Sequence, residues 1–207
     1  MRDSTGSEKR ILEKAEQLFL QYGIRSVTMD DISKELSMSK KTIYQHFKDK
    51  DAIVLEVTKR VFSAQKQIMN HIHQRGESVI QEMVLLSNYL REHIASVNPT
   101  AMYDLQKFYK EAWNVFRAFQ QECLVQIEDV INRGIQEGCF RPDIDARIVA
   151  ILRAETISLS FDQQLFPRER FAPREVQIQL FEQFINGILT DQGRALYQQY
   201  SNKEVSL

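Results

Sequence analysis

Residues 28–50 read TMDDISKELSMSKKTIYQHFKDK, and the rest of the chain is organised around this stretch. Its first part predicts a short helix, because apolar residues recur at helical spacing after Thr28, which can cap the free N–H groups of the first turn. Residues 37–39 break that spacing, and Ser39 can cap a second helix over residues 40–47. The stretch therefore predicts two short helices joined by a tight turn.

The second of these helices is predicted to have two unlike faces. At about 100° per residue, Ile43 and Phe47 lie on one side and can seat in a core. The opposite arc carries three ammonium groups, an amide and a phenol, from Lys40, Lys41, Tyr44, Gln45 and Lys48. A DNA duplex suits this arc, because phosphates attract lysines and because Gln or Lys can read base edges in the major groove. The pattern alone leaves open a pair of ordinary surface helices with solvated lysines.

The same window resembles the DNA-binding signature of the TetR family of one-component bacterial repressors. The matching residues are Thr28, Ile32, Ser39, Thr42, Ile43, Tyr44, His46, Phe47 and Lys50. The resemblance implies a helix-turn-helix head in which residues 40–47 form the recognition helix. The family often has Ala-Gly-Val where this chain has Leu-Ser-Met at residues 36–38, so we expect Ser37 to carry strain in a turn that favours glycine.

Chemistry and resemblance together predict which side chains contact DNA. We expect Thr28 and Lys50 at phosphates, with the Lys50 ammonium acting beside the positive end of the following helix. We expect Lys40, Lys41 and Gln45 at base edges. The complete predicted set is Thr28, Ser39, Lys40, Lys41, Thr42, Tyr44, Gln45, His46, Lys48 and Lys50.

Three members of that set have a second interpretation. Tyr44 and His46 match positions that touch the DNA backbone in the family. Tyr44 could instead pack on the first helix, and His46 could cap helix carbonyls. Lys48 could be solvated only.

Charge is basic locally and balanced overall. The chain of 207 residues has a net charge of −1, whereas residues 34–50 hold five Lys or Arg against two Asp or Glu. This suits a molecule that touches DNA with one end. The two cysteines, Cys123 and Cys139, have neither metal nor redox spacing, and no signal peptide or membrane-length apolar run occurs, so we expect a cytoplasmic protein without a membrane partner.

Helical spacing along the chain and the absence of strand-like alternation predict an all-α fold of about nine helices. Beyond the head, helices are expected near residues 8–22, 50–74, 77–96, 100–108, 111–137, 145–166 and 173–192, with residues 197–207 disordered. We expect residues 1–49 to form the DNA-binding domain and residues 50–207 a ligand-binding and dimerisation domain. No linker rich in Pro, Gly or Ser separates them, so the helix over residues 50–74 could transmit a tilt.

The last two long helices are predicted to pair with their copies in a homodimer. Each is apolar on more than one side, which requires a second apolar surface. The TetR family pairs these helices in a four-helix bundle, and the resemblance favours that over deep burial in a monomer. The residues expected at the dimer interface are Ile151, Leu152, Leu159, Phe181, Phe184, Ile185 and Ile188.

The resemblance also implies a pocket for a small-molecule effector in the body. Candidate lining residues are Phe62, Met69, Met83, Leu86, Tyr89, Met102, Tyr103, Trp113, Phe116, Phe119, Arg153 and Glu155. A stripe of aromatic and Met residues is more often core than pocket, and this alternative stays open. Arg153 and Glu155 interrupt an apolar helix, and polar groups in such a place need a partner or a ligand. An apolar or flat aromatic effector fits this composition.

These observations predict a ligand-responsive transcriptional regulator, most simply a repressor of a palindromic operator. No glycine-rich phosphate loop, paired-histidine zinc motif or nucleophile elbow occurs, so neither catalysis nor a cofactor or metal is expected. Two rival interpretations are a helical protein-interaction module and a small-molecule-binding protein or enzyme that does not regulate DNA.

Overall fold

A computed structural model of the chain describes residues 4–93, 99–160, 162, 164–167 and 169–202. Within these ranges the fold is helical, as predicted, and strand-type pairing is limited to one bridge between Phe140 and Leu189. The ten helices of these ranges are α1 (Ser4–Tyr22), α2 (Met29–Leu36), α3 (Lys40–His46), α4 (Lys50–Arg75), α5 (Val79–His93), α6 (Pro99–Phe108), α7 (Lys110–Gln136), α8 (Ala146–Leu159), α9 (Pro173–Ile188) and α10 (Asp191–Ser201). None of the described helices is long and apolar enough to cross a membrane.

The chain divides into two compact units. The first, residues 1–64 and 96–118, contains α1 to α3, the start of α4, α6 and the start of α7; the second is residues 65–95 and 119–207. By compactness the division therefore falls inside α4. The division by role at residues 49 and 50 remains a prediction.

The core of the first unit explains how a short recognition helix is held. In this unit α1 packs against α2, α3 and α6. The buried apolar side chains come from every one of these helices and from the start of α4, including Ile11, Ala15, Phe19, Ile32, Ile43, Phe47, Ile53, Val54 and Leu105. Helices as short as α2 and α3 are marginal in isolation, so this shared burial stabilises them.

The core of the second unit is built where α5 packs against α9 and α10. Its fully buried side chains include Ile80, Phe140, Phe181 and Ile185. Within the same unit the buried Glu82 carboxylate accepts two hydrogen bonds from the Arg133 guanidinium, at 2.7 and 2.9 Å.

The structure corrects the expected end of the chain. The helix expected over residues 173–192 ends at Ile188, because Leu189 is extended and Thr190 caps the start of α10. The Thr190 hydroxyl accepts from the Gly193 N–H at 3.0 Å. Disorder was therefore the wrong expectation for residues 197–201, where Tyr197 is buried. Residues 203–207 lie outside the described ranges.

Two other helix boundaries differ from expectation. The helix expected over residues 145–166 ends at Leu159, and a turn follows in which the Asp162 carboxylate accepts from the Gln164 N–H at 2.7 Å. At the N-terminus α1 already begins at Ser4. The part of the expected helix 77–96 beyond residue 93 lies outside the described residues.

Candidate nucleic-acid interface

The first helix of the motif, α2, begins with a reciprocal cap. The Thr28 hydroxyl accepts a hydrogen bond from the Asp31 N–H at 3.2 Å, and the Thr28 N–H donates to the Asp31 carboxylate at 2.8 Å. Hydrogen bonds from Thr28 also lower the pKa of Asp31 below its ordinary value. The predicted cap is confirmed. It fixes the position of Thr28, which is exposed at the edge of the motif.

The turn between α2 and α3 uses a backbone conformation that favours glycine. Ser37 has φ 52° and ψ 37°, in the left-handed region. Its N–H donates to the Lys34 carbonyl, and the Met38 N–H donates to the Ser33 carbonyl, both at 3.0 Å. The tight turn thus satisfies the last carbonyls of α2, and the strain expected at Ser37 has its structural basis here.

The recognition helix α3 is held from one side. The Ser39 hydroxyl accepts from the Thr42 N–H at 3.1 Å, as predicted for a cap. Ile43 and Phe47 are buried, with exposed fractions of 0% and 5%. The opposite arc is exposed, as expected, at Lys40, Lys41, Tyr44, Gln45 and Lys48. Of the remaining predicted contacts, Thr42 and His46 are half-buried at the edges of this arc.

The lysines of the exposed arc differ in their surroundings. Lys40 forms an ion pair with Asp30, and this hydrogen bond raises the pKa of the Lys40 ammonium. The Lys48 ammonium lies 3.7 Å from the Asp49 carboxylate. Among the described residues no carboxylate pairs with Lys41. Exposed ion pairs contribute little to stability, so all three ammonium groups are available to DNA.

Lys50 lies at the first turn of α4 in a less hydrated place than the arc. Its ammonium donates to the Arg25 carbonyl at 3.4 Å and lies 6.0 Å from the centre of the Tyr109 ring. Partial burial lowers the pKa of Lys50. Asp49 caps α4 as expected, accepting from the Ala52 N–H at 2.8 Å. Lys50 is thus held beside the positive end of α4, where an anion is favoured.

A contact that the sequence did not predict fixes the loop between α1 and α2. The Arg25 N–H donates to the Asp104 carboxylate at 2.8 Å, and Asp104 is only 3% exposed. The Arg25 guanidinium carbon lies 4.5 Å from the centre of the Phe108 ring. The one sequence signal was the single acidic residue of the segment 101–108, AMYDLQKF. Through this contact α6 holds the loop that precedes the DNA-binding motif.

The predicted pocket residues fall into both units. In the first unit Phe116 stacks with Phe62 and Trp113, at centroid distances of 5.3 and 4.8 Å, and Met102 is half-buried. Tyr103 is 53% exposed, and its hydroxyl accepts from the Lys107 ammonium.

In the second unit the predicted pocket residues differ in how deeply they are buried. Tyr89 belongs to a small buried cluster against which Met69 and Leu86 pack, and Met83 belongs to the main core. Phe119 is half-buried, Arg153 is buried, and Glu155 is exposed. A groove of about 640 Å³ in this unit has a different lining, namely Ser87, Asn88, Arg91, Glu182, Tyr197, Gln198, Ser201 and Asn202.

The residues predicted for the dimer interface divide between surface and core. On α8, Ile151, Leu152 and Leu159 are exposed, by 42%, 60% and 43%. On α9 the predicted residues are inward: Phe181, Ile185 and Ile188 are almost fully buried in the core of the second unit, and Phe184 is half-buried. The three buried side chains have no surface to give to a partner, which corrects their assignment to an interface.

The fold and the capped basic helix define a helix-turn-helix DNA-binding protein. The structure resembles a TetR-family transcriptional regulator from Agrobacterium tumefaciens, with a TM-score of 0.77 at 15% identity over 91% of this chain and 100% of the other. It also resembles FadR from Bacillus subtilis, solved in complex with stearoyl-CoA, with a TM-score of 0.64 at 16% identity over 87% and 98% of the two chains. At these identities the likeness establishes the fold.

Sequence comparisons agree with the fold. Residues 11–57 match the family model of bacterial regulatory proteins of the tetR family. The chain is 25% identical over 186 residues to YvaF of Bacillus subtilis, an uncharacterized HTH-type transcriptional regulator, covering 89% of this chain and 97% of that one. The helix-turn-helix head of the chain is therefore that of the TetR family of transcriptional regulators.

Proposed function

We propose that this regulator is a homodimeric repressor that a small molecule releases from a palindromic operator. The observation that carries the proposal is the outward face of α3. The Ser39 cap and the burial of Ile43 and Phe47 fix the orientation of α3, so that this face points outward. Because the helix is already ordered, little conformational entropy is lost when it enters a major groove, and binding affinity is little reduced by that loss.

The predicted contacts take separate roles on the duplex. Lys41 and Gln45 project from the exposed arc and read base edges, with Lys40 joining them once it leaves Asp30. Thr28 and Lys50 lie along the border of the motif and, together with Tyr44 of the exposed arc, hold phosphates. Contacts of the second kind fix the register and add salt-dependent affinity without sequence preference.

An exposed apolar stripe on α8 supports the dimer. Ile148, Ile151, Leu152 and Leu159 recur at helical spacing and are exposed by 57%, 42%, 60% and 43%. A contiguous apolar surface on a soluble domain marks an interaction site, and a two-fold copy of the same stripe is its simplest complement. Two copies of α3 then read two half-sites, which multiplies the specificity of one short helix.

The release step requires a ligand that binds one state of the dimer more tightly than the other. FadR, which shares this fold, is solved with stearoyl-CoA, whose acyl chain is apolar, and this supports an effector with an apolar part. The helix α4 contributes residues to both compact units. A shift of α4 on ligand binding would change the spacing of the two recognition helices and release the operator. The operator of a bacterial regulator lies in the cytoplasm, and we place the protein there.

Selection of duplexes from a random DNA library by the intact protein tests the proposal. We expect enrichment of an inverted repeat whose half-sites lie about one helical turn apart or a multiple of it. Affinity for the selected duplex should fall steeply with salt. If no duplex is enriched, the chain acts through proteins or small ligands alone and the proposal fails.

Two variants separate the roles of the arc. Gln45→Ala should relax the base preference at particular positions of the selected site. Tyr44→Ala should weaken binding to all sequences alike. The reverse pattern in a repeated selection would contradict these roles.

A further inference from the structure

Arg153 is a buried cation that lacks an anion among the described residues. Its exposed fraction is 5%, and its Nη1 atom has no hydrogen-bond partner. Burial lowers the pKa of Arg153 to about 10, which still leaves the guanidinium charged at neutral pH. An unpaired buried charge is costly, and proteins retain one where something else supplies the counter-charge.

The neighbours of the guanidinium are aromatic. Its central carbon lies 5.3 Å from the centre of the Phe181 ring and 5.5 Å from the centre of the Phe184 ring. The faces of aromatic rings attract a cation, but this attraction is weaker than the desolvation cost of burying the charge. Phe184 also packs against a buried apolar cluster formed by Leu124, Ile131 and Ala150. The surroundings thus suit a molecule that is apolar except for one acidic group.

The position of Arg153 on α8 argues against a carboxylate from a second copy of the chain. At about 100° per residue, the four residues of the proposed dimer stripe lie about 100° to 160° from Arg153 around α8. A partner seated on that stripe therefore approaches a different side of the helix from the one that carries Arg153. An anion that reaches Nη1 must enter the interior of the second unit, as a small ligand does.

We infer that Arg153 binds the acid group of the effector, so that the effector is an organic carboxylate with an apolar body. The inference rests on the proposed ligand-responsive function and names the chemical class of the ligand. Phe181 and Phe184 pack beside the bound acid group and keep water away from it, which strengthens the charged hydrogen bond.

Calorimetric titration of the intact protein with decanoate and with decanol, at constant ionic strength, tests the inference. Both probes have the same apolar chain, and only decanoate carries a charge. We expect decanoate to bind the unaltered protein at least tenfold more tightly than decanol. Equal affinities, or no binding of decanoate at millimolar concentration and of decanol up to its limit of solubility, would overturn the inference without any variant.

Two matched variants locate the effect. Arg153→Met should lose the preference for decanoate, and without ligand it should melt at a higher temperature than the unaltered protein, because an unpaired buried charge has been removed. Arg147→Met alters an exposed arginine of the same helix that pairs with Glu128, and it should keep the preference. A preference retained in Arg153→Met, or dimers that dissociate in that variant alone, would assign the guanidinium another partner and overturn the inference.

DNA binding separates this inference from the proposed function. If the unaltered protein binds its selected duplex but does not distinguish decanoate from decanol, the acid site is wrong and the repressor stands. If it distinguishes the probes but binds no duplex, the repressor is wrong, and the inference falls with it as a statement about an effector.

Discussion

The N–H of Arg25 donates to the carboxylate of Asp104 at 2.8 Å across 79 residues of sequence. Arg25 lies in the loop before the DNA-binding motif, and Asp104 lies on α6 and is buried. A buried carboxylate used in this way fixes a backbone position. The start of the motif is therefore set by a helix from much later in the chain.

Asp104→Ala should destabilise the protein, because it removes the acceptor of the Arg25 N–H. We expect a loss of about 1–3 kcal/mol in the free energy of unfolding, the cost of an unmade hydrogen bond in a buried place. Asp104→Asn keeps an acceptor oxygen and should lose less. Urea unfolding measures both, and equal losses in the two variants would contradict the role given to the carboxylate.

Ser37→Gly should stabilise the protein, because Ser37 has a positive φ of 52°. The expected gain is about 0.5–1 kcal/mol, reduced from the full relief of strain by the greater freedom of glycine in the unfolded chain. Gln121→Gly, at an exposed position inside α7, should instead cost about 1 kcal/mol. Thermal or urea unfolding that gives both variants the same sign would refute the explanation.

Leu152→Glu should convert the dimer into monomers, because a carboxylate would be placed in the apolar stripe of α8, where Leu152 is 60% exposed. Val125→Glu is the matched control on α7, where Val125 is 62% exposed and the residues three and four positions away are all polar, namely Gln121, Glu122, Glu128 and Asp129. Sedimentation or light scattering gives the masses. A dimeric Leu152→Glu protein, or a monomeric Val125→Glu protein, would move the interface away from α8.

Cys123 should be chemically inert at neutral pH. Desolvation by burial, with a further effect of Glu122, raises the pKa of its thiol to about 11. The reactive thiolate is then only ~10⁻⁴ of the total at pH 7. Burial also raises the pKa of Cys139. The rate of alkylation by iodoacetamide should rise about tenfold per pH unit up to the thiol pKa and be far faster in the unfolded protein. Rapid labelling of the folded protein at pH 7 would contradict this.

Local signals in the sequence predicted the head well. The caps at Thr28, Ser39 and Asp49 act on their own neighbours, so their spacing alone indicates them. The two-faced pattern of α3 is likewise confirmed, with Ile43 buried and Tyr44 half-exposed.

Features that depend on distant contacts could not be predicted in this way. The break before α10 is fixed by the Thr190 N–H, which donates to the Cys139 carbonyl at 2.9 Å, 51 residues away in sequence. Phe181 and Ile185 read equally well as interface or core, because apolar periodicity does not say which surface covers a helix. The pairing of Asp104 with Arg25 had no local signal beyond one acidic residue.

We expect the outward face of α3 to read DNA. The affinity of the protein for the selected duplex, measured by fluorescence anisotropy, tests this most directly. The double variant Lys41→Ala with Gln45→Ala should bind at least about tenfold more weakly than the unaltered protein, since each side chain is expected at a base edge. Lys110→Ala, which removes an exposed lysine at the start of α7, should bind like the unaltered protein. Unchanged affinity in the double variant would contradict the account.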